Sequence, residues 1–81
     1  MKLNGFEGRK NISGKRIHQA REALCLSQRD LAAQRRIRGV WMEQEAISRI
    51  EMGDRFITDY ELMIFAKILG VSVKWLIGRE R

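Results

Sequence analysis

Residues 28–53 read QRDLAAQRRIRGVWMEQEAISRIEMG, two short helical patterns in succession. Leu31, Ala32 and Ile37 fall on one side of the first, and Ala46, Ile47 and Ile50 on one side of the second. Gly39 lies between the two patterns and Gly53 follows the second, each where a helix closes on a left-handed residue. The spacing predicts a helix from Gln28 to about Arg38 and another from Glu43 to Met52, joined by a tight bend. At roughly 100° per residue, Glu45, Ser48, Arg49 and Met52 point away from the apolar face of the second helix, with Gln44 on its flank. Val40, Trp41 and Met42 offer no side-chain acceptor, so this helix is expected to start without a polar cap.

Outward from this pair the pattern stays helical. Ser27 fits the N-cap of the first helix of the pair, with Asp30 three residues on as a capping-box acid. Upstream, a helix is expected from about Ser13 to Leu24, burying Ile17, Ala20 and Leu24. Downstream, Thr58-Asp59-Tyr60-Glu61 is a capping box with an extra acid in the first turn. It opens a helix whose buried face is Leu62, Phe65, Ala66 and Leu69 and which ends at Gly70. Ser72 caps a last short helix, Val73–Ile77, closed by Gly78, with Trp75 expected in the core. The fold class is therefore all-α: a compact domain of five helices over residues 13–78. Residues 1–12 read as a basic, flexible N-terminal segment and 79–81 as a short tail.

Composition narrows the class further. A chain of 81 residues has room for one small core. With 44% hydrophobic and 32% charged residues it reads as globular rather than disordered. No apolar run approaches the length of about 20 residues that spans a bilayer. MKLNGFEGRKNISGKR lacks the apolar centre of a secretory signal, so a cytoplasmic protein is expected. The lone Cys25 and lone His18 can build neither an internal disulfide nor a zinc site, so no metal and no cofactor are expected. No nucleophile–base set and no phosphate-cradling glycine loop is present, which argues against an enzyme. The net charge is +6, and it is uneven: residues 1–41 hold the excess of Lys and Arg, while 42–81 are nearly balanced. A basic half on a small domain points to a polyanion.

Two charges fall on apolar faces: Arg21 on the stripe of Ile17 and Leu24, and Glu51 beside Ile47 and Ile50. A charge facing a core is costly unless paired, so the two are expected to pair with each other. On the opposite side of the same helix as Glu51, the residue types suit base edges. Gln44 can bond adenine, Glu45 can accept from cytosine N4, Arg49 can fork onto guanine, and Ser48 can bond several edges.

Together these residues resemble the Cro and phage-repressor (XRE) type of helix-turn-helix regulators. The resemblance is carried by Arg21, Leu26-Ser27-Gln28, Leu31-Ala32, Ile47-Ser48-x-Ile50-Glu51-x-Gly53, and Ala66-x-x-Leu69-Gly70-Val71-Ser72-Val73-x-Trp75-Leu76-x-Gly78. It covers residues 13–78. The stretch from Gln28 to Ile47 is longer than in the compact phage repressors and is similar to a bacterial subgroup with an extended second helix. Cys25 stands where the family usually has glycine or another turn former, and Trp41-Met42-Glu43 replaces the usual capping residue.

The resemblance implies a lambda-repressor-like, sequence-specific regulator of transcription, expected to be a repressor, reading double-stranded DNA as a homodimer. Gln28 would then bond phosphate and brace the reading helix, and Arg55, just past Gly53-Asp54, would also touch phosphate. Arg29 and Arg38 would flank the duplex backbone, and the dimer would form through the C-terminal helix or on DNA. The competing expectation is an antitoxin or protein-binding adaptor, favoured by Glu43 and Glu45 on the reading helix, where acids repel phosphates.

Overall fold

Four of the five helices among the described residues end in the same way, and that regularity sets their lengths. The computed structural model describes residues 8–37 and 42–79, and for 35–37 the backbone alone. In chain order the helices are α1 (Gly14–Ala23), α2 (Gln28–Ile37), α3 (Gln44–Met52), α4 (Asp59–Leu69) and α5 (Val73–Leu76). No strand pairs with another among the described residues. Gly53 and Gly70 directly follow α3 and α4, and Gly78 follows α5 one residue past its cap Ile77, each glycine with φ between +70° and +82°. The following amide reaches back to close the last turn: Asp54 to Arg49, Val71 to Ala66, Arg79 to Lys74. The end of α1 has the same bonds, Leu26 to Arg21 and Cys25 to Glu22. There the left-handed position is filled by Cys25, at φ +57°. A side chain in that region costs about 1 kcal/mol that glycine would not incur.

The starts differ more than the ends. Ser27 and Asp30 cap α2 reciprocally, each side chain accepting from the other's backbone amide. That hydrogen bonding holds the Asp30 carboxyl below the usual range. Thr58 and Glu61 form the capping box foreseen for α4, and Ser72 caps α5. Glu43 precedes α3 with no side-chain bond. What secures this start is Met42, which is buried in the same core as Ile47. These two positions are those of a hydrophobic staple.

The core lies where α1, α3, α4 and α5 converge with α2. Ile17, Leu31, Ile47, Ile50, Phe65 and Leu76 are fully buried there. Leu62, Ile68, Val71 and Trp75 pack against its edge. Trp75 is half-buried, with the Arg16 guanidinium 4.7 Å from its ring centroid. The radius of gyration, 12.0 Å, is about that of a compact chain of this length.

Two expectations need correction. Leu24 does not continue the buried stripe of α1: it is the C-cap, where the backbone leaves the helix, and it is 50% exposed. Residues 9–11 are not part of a loose tail. Asn11 accepts from the Gly14 amide at 2.7 Å and donates to the carbonyls of Ile50 and Arg55 at 3.0 and 2.8 Å. The first amide of α1 is therefore satisfied by Asn11, while the Ser13 side chain makes no cap. The expectation for Gly39 lies outside the described residues.

Candidate functional site

The C-terminal half of α3 is held from several directions through one carboxylate. Glu51 Oε2 accepts from Arg21 Nε at 2.7 Å, and Oε1 accepts from Arg21 Nη2 at 3.0 Å and from Gln28 Nε2 at 3.1 Å. His18 Nδ1 lies 2.8 Å from the same Oε1, and its Nε2 is 3.1 Å from Glu22 on the next turn of α1. Arg21 also donates through Nη1 to the Leu26 carbonyl, tying in the turn between α1 and α2. Burial pushes the Glu51 carboxyl up, but the hydrogen bonds from Arg21, His18 and Gln28 outweigh it and leave the group below the usual carboxylate range. The bond to Glu51 likewise raises the Arg21 guanidinium, against the opposing effect of burial. The expected pair is present, and Gln28 braces α3 through it.

The same end of α3 is approached closely by two backbones. A side chain on Gly14 would put a carbon 2.1 Å from the Ile50 carbonyl oxygen, so α1 and α3 meet there at backbone distance. Arg9 lies against Gly53 and donates to the carbonyls of Met52 and Glu51. The Lys10 amide bonds the Gly53 carbonyl at 2.8 Å. Nearly every polar group at this helix end has a partner.

On the solvent side of α3, Gln44, Glu45 and Arg49 are exposed and Ser48 is half-exposed, its hydroxyl 3.9 Å from the Met52 sulfur. Arg49 lies 3.8 Å from the Asp54 carboxylate and donates to the Asp54 carbonyl at 3.4 Å, with both side chains more than half exposed, so these are weak surface contacts. Two clefts flank this face. One, of about 300 Å³, is bordered by Arg29, Ala32 and Ala33 of α2 and by Glu43 and Gln44. The other, of about 370 Å³, lies between α3 and the segment leading to α4, and brings Glu43, Glu45, Arg49 and Arg55 together. The two acids and two arginines around the second cleft offset one another.

Arg55 has a partner that its sequence position does not announce. Its guanidinium forks onto both oxygens of Glu61 at 3.2 Å, and Glu61 is buried while also accepting from the Thr58 amide. Arg55 therefore locks the start of α4, and any anion it touches would have to share it. Arg29 is exposed on the first turn of α2. Arg38 lies outside the described residues.

Sequence reasoning missed His18, Asn11, Arg9 and Met42. The spacing His18–Glu22, one turn of helix, was a legible pairing signal. Asn11 and Arg9 act across 39 to 44 residues, where no periodicity could point to them. No described helix is long and apolar enough to cross a membrane, and no cluster of His, Cys, Asp and Glu among the described residues has the makings of a metal site. The chain matches no protein-family model, no curated protein and no solved structure.

Proposed function

We propose that this chain is a sequence-specific, double-stranded-DNA-binding regulator of transcription of the Cro and phage-repressor helix-turn-helix type, with α2 and α3 as the helix pair. One observation carries the reading. The buried Arg21–Glu51–Gln28 network fixes the inner side of α3 to α1 and to the start of α2, while Gln44, Glu45, Ser48 and Arg49 face solvent on its outer side. A rigidly mounted helix with an outer face of an amide, a carboxylate, a hydroxyl and a guanidinium is suited to base edges in a major groove. Gln28, Arg29 and Arg38 would carry phosphate contacts, and the +6 charge would supply the non-specific attraction. A domain of this size covers one half-site, so a homodimer on a near-palindrome is the working form. Such a regulator works as a repressor in the cytoplasm, on the nucleoid.

Selection of bound sequences from a random duplex pool, followed by isotherms at several salt concentrations, tests this. A DNA reader enriches a symmetric motif and shows a steep fall of log affinity with log salt, about 0.9 per phosphate contacted. A flat salt response with no enriched motif would sink the reading. The second reading, an antitoxin or protein-binding adaptor, is favoured by the cleft in which Glu43 and Glu45 offset Arg49 and Arg55. That reading expects the flat response.

A further inference from the structure

The C-terminal helix has little surface left for a partner. α5 is four residues long, Leu76 is fully buried, and Trp75 is packed against the core. One exposed apolar patch is on α4 and the segment just before it. Phe56, Tyr60 and Met63 are 53, 55 and 51% exposed, and Lys10 over the Phe56 ring leaves it so. Along the helix, Asp59, Met63 and Lys67 form one row at a spacing of four, all exposed. The row carries an acid at its start, a flexible apolar side chain at its centre and a base at its end. Neither Asp59 nor Lys67 takes part in an ion pair among the described residues.

We propose that a second copy of this chain covers this face, with α4 packed antiparallel on α4 about a two-fold axis near Met63. The argument is charge and shape complementarity of the row with itself. Rows at a spacing of four are ridges along which helices interdigitate. Reversing such a row about its midpoint sets Asp59 against Lys67 of the partner subunit, and Lys67 against Asp59 of the partner subunit. The apolar centre then meets itself, as a closed two-fold contact requires. A shallow hollow of about 220 Å³ bordered by Asp59, Tyr60 and Met63 gives a side chain from the other copy a seat. A parallel or shifted arrangement loses both charge pairs. An eleven-residue helix buries less than a standard interface, so the dimer is weak and concentration-dependent. The inference goes beyond the DNA-binding reading and does not rest on it.

Sedimentation velocity of the full chain without DNA, over a range of loading concentrations, is the test. A reversible monomer–dimer equilibrium in the micromolar-to-millimolar range is expected. Met63→Glu, at an exposed site that leaves the helix intact, should weaken it at least tenfold by setting two acids against each other at the axis. Asp59→Lys and Lys67→Asp should each weaken it similarly, and the double swap should restore most of the loss. Because charges at helix ends also affect the helix itself, a second readout is independent of them. Met63→Cys in a Cys25→Ser background should form an intermolecular disulfide on mild oxidation, while Leu24→Cys in the same background should not. A chain that stays monomeric at every concentration overturns the proposal, as does a dimer indifferent to Met63→Glu or equal cross-linking at both cysteine positions. Because no DNA is present, these outcomes are separate from those of the DNA titration.

Discussion

The two ends of α3 are held by different means. At its C-terminal end, Glu51 is bonded by Arg21 and Gln28, the Ile50 carbonyl by Asn11, and Gly53 is covered by Arg9. At its N-terminal end, Glu43 makes no cap and the helix is held by the burial of Met42. Hydrogen bonds and ion pairs fix direction and distance, whereas apolar burial tolerates small rotations. The helix is therefore positioned from behind and lightly held in front, where Gln44 and Glu45 project. In the proposed DNA complex, the front end can adjust to a base edge without loosening the mount.

The strongest way to break this contrast is to remove the mount. Arg21→Ala or Glu51→Ala should each cost about 3–5 kcal/mol, because a buried charge is left without its partner. The double mutant should cost clearly less than the sum, and additive losses in chemical denaturation would mean the two charges act separately. The pH dependence has a fixed sign. Glu51 is held below the ordinary carboxylate range, so its contribution is complete above the unfolded pKa of about 4.3 and is lost as pH falls through the lower folded value. Stability of the parent chain should therefore fall more steeply on acidification than that of Glu51→Gln.

Gly14→Ala attacks the same end through the backbone. With 2.1 Å between the new carbon and the Ile50 carbonyl oxygen, α1 and α3 must separate, at about 1–3 kcal/mol. A melting temperature unchanged from the parent would show that the approach is softer than the geometry implies.

On the outer face the comparison becomes one of two arginines. Arg49→Ala should cost about 1–3 kcal/mol on a selected duplex and relax preference at one position per half-site, with little change in stability. Arg55→Ala should lower the log–log salt slope by about one per monomer if it reaches phosphate, and it should also lower the melting temperature, because Glu61 stays buried without its fork. Isotherms at several salt concentrations beside thermal melts separate the two. An Arg49 variant with full affinity and unchanged preference would move the adaptor reading ahead.

The smallest effect concerns the lightly held end. Glu43→Ser supplies the missing cap and should stabilise α3 by about 1 kcal/mol, seen as slower amide exchange at its first turn. No gain would mean that Met42 already holds that end as firmly as a cap could.

Much of this architecture was legible in the residues. Periodicity located all five helices, and caps such as Thr58–Glu61 fixed their starts because those bonds span three residues. Arg21 and Glu51 could be paired because each is a charge on an otherwise apolar stripe. Asn11 could not, since an asparagine in a basic, glycine-containing stretch looks like any polar loop residue until its partners are seen. Leu24 misled because a helical stripe says nothing about where the helix leaves its neighbours. Arg55 gave no hint of Glu61, for its position six residues before a capping acid has no regular geometry behind it. The outer face of α3 was read correctly as exposed, but exposure alone does not name a ligand.

Asn11 also has a kinetic meaning. Its bonds to Ile50 and Arg55 close loops of 39 and 44 residues, more than half the chain in the second case. Such a closure loses chain entropy before any contact compensates it, so it is expected after the neighbouring helices have found one another. The clasp is then the last piece to form and the first to release. In hydrogen-exchange experiments the Gly14 and Lys10 amides should open in a small, separate event, ahead of the core helices. A side chain that adds little to the folded shape would thereby set the order in which the shape is completed.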